Sequence, residues 1–122
     1  MRLEKAIEDY AKYAIKHGEA TELGESVKAN RAHNNLYKAL GKIASTGEIG
    51  KVAFVKLLSH SNPSVVMWAG THSLGIAPKE AKAALNQVKE KGGISAFSSS
   101  MVLEEWEKGN IDDPFVGRER VL

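Results

Sequence analysis

A chain of 122 residues without a cysteine suits a single domain with its own core and excludes disulfide staples, thiolate metal sites and cysteine nucleophiles. A formal charge of +2 with 43% hydrophobic and 26% charged residues excludes wholesale disorder and argues against a dedicated polyanion binder. No apolar run approaches the eighteen or so residues of a membrane span, and the charged start from Met1 to Asp9 has no signal core, so a cytoplasmic protein is expected.

Leu3, Ala6, Ile7, Tyr10, Ala14 and Ile15 fall at helical spacing, with Glu4, Lys5, Glu8, Asp9, Lys12 and Lys16 opposite. This is the signature of an amphipathic helix over 3–17, and His17-Gly18 reads as its stop. Ser26 is the expected cap of a second helix reaching about Ser45. Ala29, Ala32, Leu36, Leu40 and Ile43 line one side of it, widened by Tyr37 and Ala44. Thr46-Gly47 ends it.

A third helix over 48–59 holds Ile49, Val52, Ala53, Phe54, Val55, Leu57 and Leu58. That apolar density places it at the centre of the fold. Ala53-Phe54-Val55 has no alternating partner strand anywhere in the chain, so a helix is preferred there. The fourth helix starts at Pro63, where proline suits the first helical position. Val65, Trp68, Ala69 and His72 share one face, extended by Val66 and Met67.

Gly75 and Pro78 stop it. The fifth helix, about 79–91, carries Ala81, Ala84, Leu85 and Val88 on one face and breaks at Gly92-Gly93. The sixth, about 94–108, aligns Ala96, Ser99, Val102, Leu103 and Trp106 before Gly109-Asn110 closes it. Trp68 and Trp106 are expected as core anchors. Residues 1–110 are therefore expected to form one helical domain and 111–122 a C-terminal tail, tethered through Ile111, Phe115 or Val116.

A shift of 31 positions superposes the third and fourth helices on the fifth and sixth, matching Ala53 with Ala84, Leu57 with Val88 and Val66 with Phe97. Leu57-Leu58, Pro63-Ser64-Val65, Ala69 and Leu74-Gly75 together resemble the HEAT-repeat pattern of two leucines, a proline turn, a valine, an alanine and a closing Leu-Gly. Over roughly 1–110 the chain is also similar to a small bacterial family of HEAT-like (armadillo-type) domains of unknown function. The stretches that carry this are Asn62-Pro63-Ser64-Val65 with Trp68-Ala69, and Val102-Leu103-Glu104-Glu105-Trp106-Glu107-Lys108-Gly109. The resemblance implies an all-α fold of about six helices in three antiparallel pairs, a short right-handed superhelix with no established activity. The chain departs from the pattern where HEAT units place an acid before the proline and an arginine after the valine. Asn62 or His60 and Val66 stand there, and the shift is shorter than the roughly 40–47 residues of such units.

Chemistry-bearing patterns are sparse. His17, His33, His60 and His72 lie in four different predicted elements with no helical ligand spacing, so no metal site and no cofactor are expected. His72 shares the apolar face of Trp68 and is expected as a core histidine bonded to a neighbouring carbonyl, not as a catalyst. Ser98-Ser99-Ser100 lacks the glycine frame of a nucleophile elbow. Gly92-Gly93 reads as a turn and not as an anion site. Asp112-Asp113 reads as a solvated stretch. No catalytic residue is assigned, and the protein is expected not to be an enzyme.

The most informative polar feature is on the second helix, where Lys28, Arg31, Lys38 and Lys42 form a stripe with Asn34 and Asn35 beside it. Such a stripe can track a phosphate backbone, as the basic concave surface of some HEAT-like DNA glycosylases does, an analogy of fold only. Without an interleaved aromatic, and with a small net charge, a solvated face opposite Leu36 and Leu40 is the better reading. The leading expectation is a non-enzymatic protein-interaction module that binds another protein, an immunity-type inhibitor among the options. Nucleic-acid binding through the basic stripe is the alternative.

Overall fold

The computed structural model describes residues 2–115. These form six α-helices and one 3-10 turn, with no strand among the described residues: α1 Arg2–Glu22, α2 Ser26–Ala44, α3 Glu48–Val55, the turn Lys56–Ser59, α4 Pro63–Ser73, α5 Pro78–Lys91 and α6 Ile94–Glu107. The all-α expectation and the number of helices hold. None of these helices is long and apolar enough to cross a membrane.

α1 and α2 pack along their length as a hairpin. The turn between them follows from Gly24, whose φ of 72° is open to glycine at little cost. The Gly24 and Glu25 amides donate back to the Thr21 and Ala20 carbonyls at 3.2 and 2.8 Å, which satisfies the last carbonyls of α1. His17-Gly18 does not stop the helix. A Cβ at Gly18 would collide with the Ser64 side chain, so this glycine lets α1 approach the first turn of α4. Ser26 likewise is not a cap. It is the first residue of α2, and Glu25 before it makes no side-chain cap bond.

α4 begins as the sequence predicts. Pro63 occupies the first turn, and the Asn62 side chain accepts the Ser64 amide at 2.8 Å. The expected centrality of the third helix is overturned. α3 is short, gives way to the 3-10 turn, and leaves Ile49 70% and Val52 60% exposed. The central helix is α4, buried on two faces. Val65 and Ala69 join Tyr10, Leu36, Ile43, Phe54 and Leu57 in one core, while Val66 and Met67 join Leu74, Ala81, Leu85 and Val88 in a second. Gly70 sits between α4 and α5, where a Cβ would come within 2.8 Å of the Leu85 side chain.

α5 packs against both α4 and α6. Val102, Leu103 and Trp106 of α6 seal the second core, while Trp68 touches both cores. After α6 the chain turns at Gly109 and runs back. Ile111 packs on the second core and Phe115, 1% exposed, enters the first against Phe54 at a ring separation of 5.3 Å. Val116, the third proposed tether, lies outside the described residues.

Candidate functional site

A groove of about 630 Å³ opens between the C-terminal half of α1 and the N-terminal half of α2. The hairpin builds it, with lining from α1, from α2 and from Leu23 and Glu25 of the connection between them. Tyr13, Ala20, Leu23 and Ala32 supply apolar lining. Lys16, Lys28 and Arg31 supply positive charge, and Glu19, Glu22 and Glu25 negative charge. Leu23 and Val27 beside the turn are 73% and 70% exposed.

The stripe read from the sequence divides here. Lys28, Arg31 and Asn35 line this groove, and Lys28 is paired with Glu25 at 3.2 Å. Lys42 lies at the far end of the hairpin in a separate, smaller groove with Arg2, Lys5, Asp9, Ser45 and Thr46. Asn34 and Lys38 are exposed and line neither. The missing aromatic comes from the neighbouring helix: Tyr13 lies below the ammonium groups of Lys12 and Lys16, at 5.0 and 5.8 Å from its ring centre. The i, i+3 spacing of Tyr13 and Lys16 on α1 was the available signal. It connects with Arg31 only once the hairpin is closed.

A second assembly forms on the other side of the hairpin, where α1 and α2 meet α4. Three of the four histidines that look scattered in the sequence come together there with two tyrosines and a tryptophan. His17 and His33 have ring centres 6.3 Å apart, and both abut Trp68, at 5.2 and 5.7 Å. Tyr37 stacks near His33 at 4.6 Å, and His72 lies 5.6 Å from Trp68. His60 stands apart, its Nδ1 accepting the Asn62 amide at 3.0 Å. Among the described residues no group of three or more histidines and carboxylates is placed to hold a metal ion.

His72 is buried as expected, 5% exposed, but its partners are side chains and not a carbonyl. Its Nδ1 is hydrogen-bonded to the Tyr10 hydroxyl at 2.7 Å and its Nε2 to the Tyr37 hydroxyl at 3.1 Å. Burial, reinforced by the nearby His33, pushes its pKa down to about 3. The ring is therefore neutral at physiological pH, so one nitrogen donates to one tyrosine and the other accepts from the second. Burial raises the pKa of both tyrosines, and Tyr37 adds to the rise at Tyr10. Moving a proton from either phenol to His72 would create two charges where burial disfavours both. The relay fixes three helices in register and is poorly poised for acid–base chemistry.

A solved structure shares the fold. The crystal structure of the protein RPA1889 from Rhodopseudomonas palustris CGA009 superposes with a TM-score of 0.82 at 18% identity, covering 90% of this chain and 92% of that one. No curated protein matches the chain. The family model described as Domain of unknown function (DUF2019) matches residues 4–107, which is most of the chain. The protein therefore belongs to the DUF2019 family.

Proposed function

We propose that the protein is a non-enzymatic protein-interaction module of HEAT-like design, and that the groove between α1 and α2 is where it takes hold of a segment of another protein. The observation that carries this reading is the mixed lining of the groove. Three glutamates stand among three cations and apolar side chains, and Leu23 of the lining and Val27 near it in sequence present large apolar side chains to solvent. Protein segments offer both charge signs and apolar side chains, and interfaces of this kind combine an apolar centre with a charged rim. The length of the α1–α2 hairpin and the succession of α4, α5 and α6 support the repeat-like architecture. Inhibition of a bound partner, as an immunity protein does, is one form this activity would take.

The test is capture of partners from the source cell by the unaltered chain and by a Leu23→Ser, Arg31→Glu variant. A stoichiometric partner lost by the variant is the expected result. Equal capture by both would sink the groove as the binding surface.

Nucleic-acid binding keeps one observation in its favour: Tyr13 with Lys12 and Lys16 adds an aromatic and two cations beside the stripe of α2. Against it, Glu19, Glu22 and Glu25 line the same groove and would repel a phosphate backbone. Titration with duplex and single-stranded DNA across a salt series decides the matter. Binding at low salt that falls steeply with added salt would favour this second reading.

A further inference from the structure

We propose that the junction of α1 and α2 with α4 is an acid-sensitive latch, in which protonation of His17 against His33 and Trp68 disperses the ring cluster and loosens the hairpin from α4. The geometry carries this. Two half-buried imidazoles, 6.3 Å apart, lie against the same indole, with the buried His72 behind it. A charge on His17 falls on a half-buried surface that desolvates it, against the His33 ring.

Among the described residues, the groups facing the cluster offer no compensating charge. From α1 come Tyr10 and His17, and from α2 His33 and Tyr37. α4 contributes Trp68 and His72 and has no acidic or basic residue other than that histidine between Pro63 and Ser73. α3 meets the cluster through the Phe54 ring against Tyr10. The α4 surface toward α5 and α6 is Val66, Met67 and Gly70. Burial first, and His33 second, lower the pKa of His17, and no carboxylate contributes to it.

The closed form therefore holds a proton on His17 less readily than an opened one. Its advantage is full above the ordinary imidazole value of about 6.5 and shrinks as the pH falls below that value. Most carboxylates titrate near 4, so an interval from about pH 7 to pH 5 isolates the histidines. Junction loosening exposes Trp68, which makes that residue the natural reporter.

In a Trp106→Phe background Trp68 alone emits. Acidification from about pH 7 to pH 5 is expected to red-shift its emission and to speed amide exchange in α1 by roughly tenfold beyond the intrinsic pH effect. In the His17→Gln, His33→Gln variant, folded at pH 7 by far-UV circular dichroism, the midpoint should fall by about one pH unit or more. An unchanged Trp68 signal to pH 5 overturns the proposal. So does an unmoved midpoint in the double variant, which would assign the response to another group, the buried His72 first. Should the double variant not fold, NMR titration of the imidazole protons in the unaltered chain decides. A value for His17 below about 6.5 supports the latch; one at or above it means that Trp68 stabilises the imidazolium by a cation–π contact, and the latch is wrong.

Discussion

The two cores of this molecule differ in kind although α4 belongs to both. The first, enclosed by α1, α2, α3 and the returning segment that ends in Phe115, is built on Tyr10, Phe54 and Phe115 and borders the histidine cluster. The second, enclosed by α4, α5 and α6, is aliphatic: Val66, Met67, Leu74, Ala81, Leu85 and Val88. Aromatic and imidazole rings bring hydrogen-bonding edges into the interior and need partners there. Aliphatic side chains ask only for volume. Titration behaviour, the large groove and the most position-specific packing accordingly concentrate in the first half, while the second half is a plain buttress.

The largest effect expected from breaking that contrast is at Phe115. Phe115→Ala should destabilise the protein by about 3–5 kcal/mol, comparable with Leu85→Ala in the other core at about 2–5 kcal/mol. Urea unfolding measures both. A Phe115→Ala variant that unfolds like the unaltered chain would remove the segment that ends in Phe115 from the first core.

The next effect is pH-dependent and belongs to the first core alone. The pKa of His72 is held at about 3 in the folded state, so the unfolded chain takes up a proton first as the solution is acidified. Its contribution is complete above about pH 6.5 and declines from there toward pH 3. At pH 5 the loss should be about 2 kcal/mol, from the energy of one pKa unit. Urea midpoints at pH 7 and pH 5 for the unaltered chain and for His72→Gln test this. Equal slopes in the two proteins would show that His72 is not the group responsible.

A smaller effect concerns how closely α1 approaches α4. Gly18→Ala improves helix propensity by up to about 1 kcal/mol, yet the new Cβ meets Ser64. A net loss of about 1–2 kcal/mol is expected from overpacking, with partial recovery in Gly18→Ala, Ser64→Ala. A gain in stability from the single change would mean that the helices separate without cost. The smallest effect is on the outer face of α6, where Phe97 is 69% exposed. Phe97→Ser should change stability by no more than about 0.5 kcal/mol, and a larger loss would point to burial of that face.

The helices themselves were largely legible, because local rules fix them. The Asn62-Pro63 start, the Gly92-Gly93 break and the apolar stripes of α1, α2 and α5 all follow from spacing and capping. What stayed hidden depends on packing between distant segments. Gly18 looks like a stop signal, and only the position of Ser64 shows it as a point of close approach. Ile49 and Val52 read as core since composition cannot tell that no described residue buries that face of α3.

The candidate site was half visible. Lys28, Arg31 and Asn35 stand in the groove, but Tyr13, Lys16 and the glutamates that set its character come from another helix or from the turn. The histidines looked scattered because their grouping is tertiary. A trace of it was present: Tyr10 and His17 lie seven apart on α1, His33 and Tyr37 four apart on α2, and Trp68 and His72 four apart on α4, each pair on one helix face.

The return of Phe115 to Phe54 has a consequence for how the molecule folds and fails. In a strict array each unit touches only its neighbours, so units can melt one at a time from an end. Here Phe115 bridges back across the sequence to α3, and α1 also meets α6. Those links tie the segment that ends in Phe115 to the first helices, so fraying of α6 pulls on the aromatic core and damage to that core releases Phe115. The protein is thereby wired for a single cooperative unfolding transition, and excising a helical pair should leave no stable remainder.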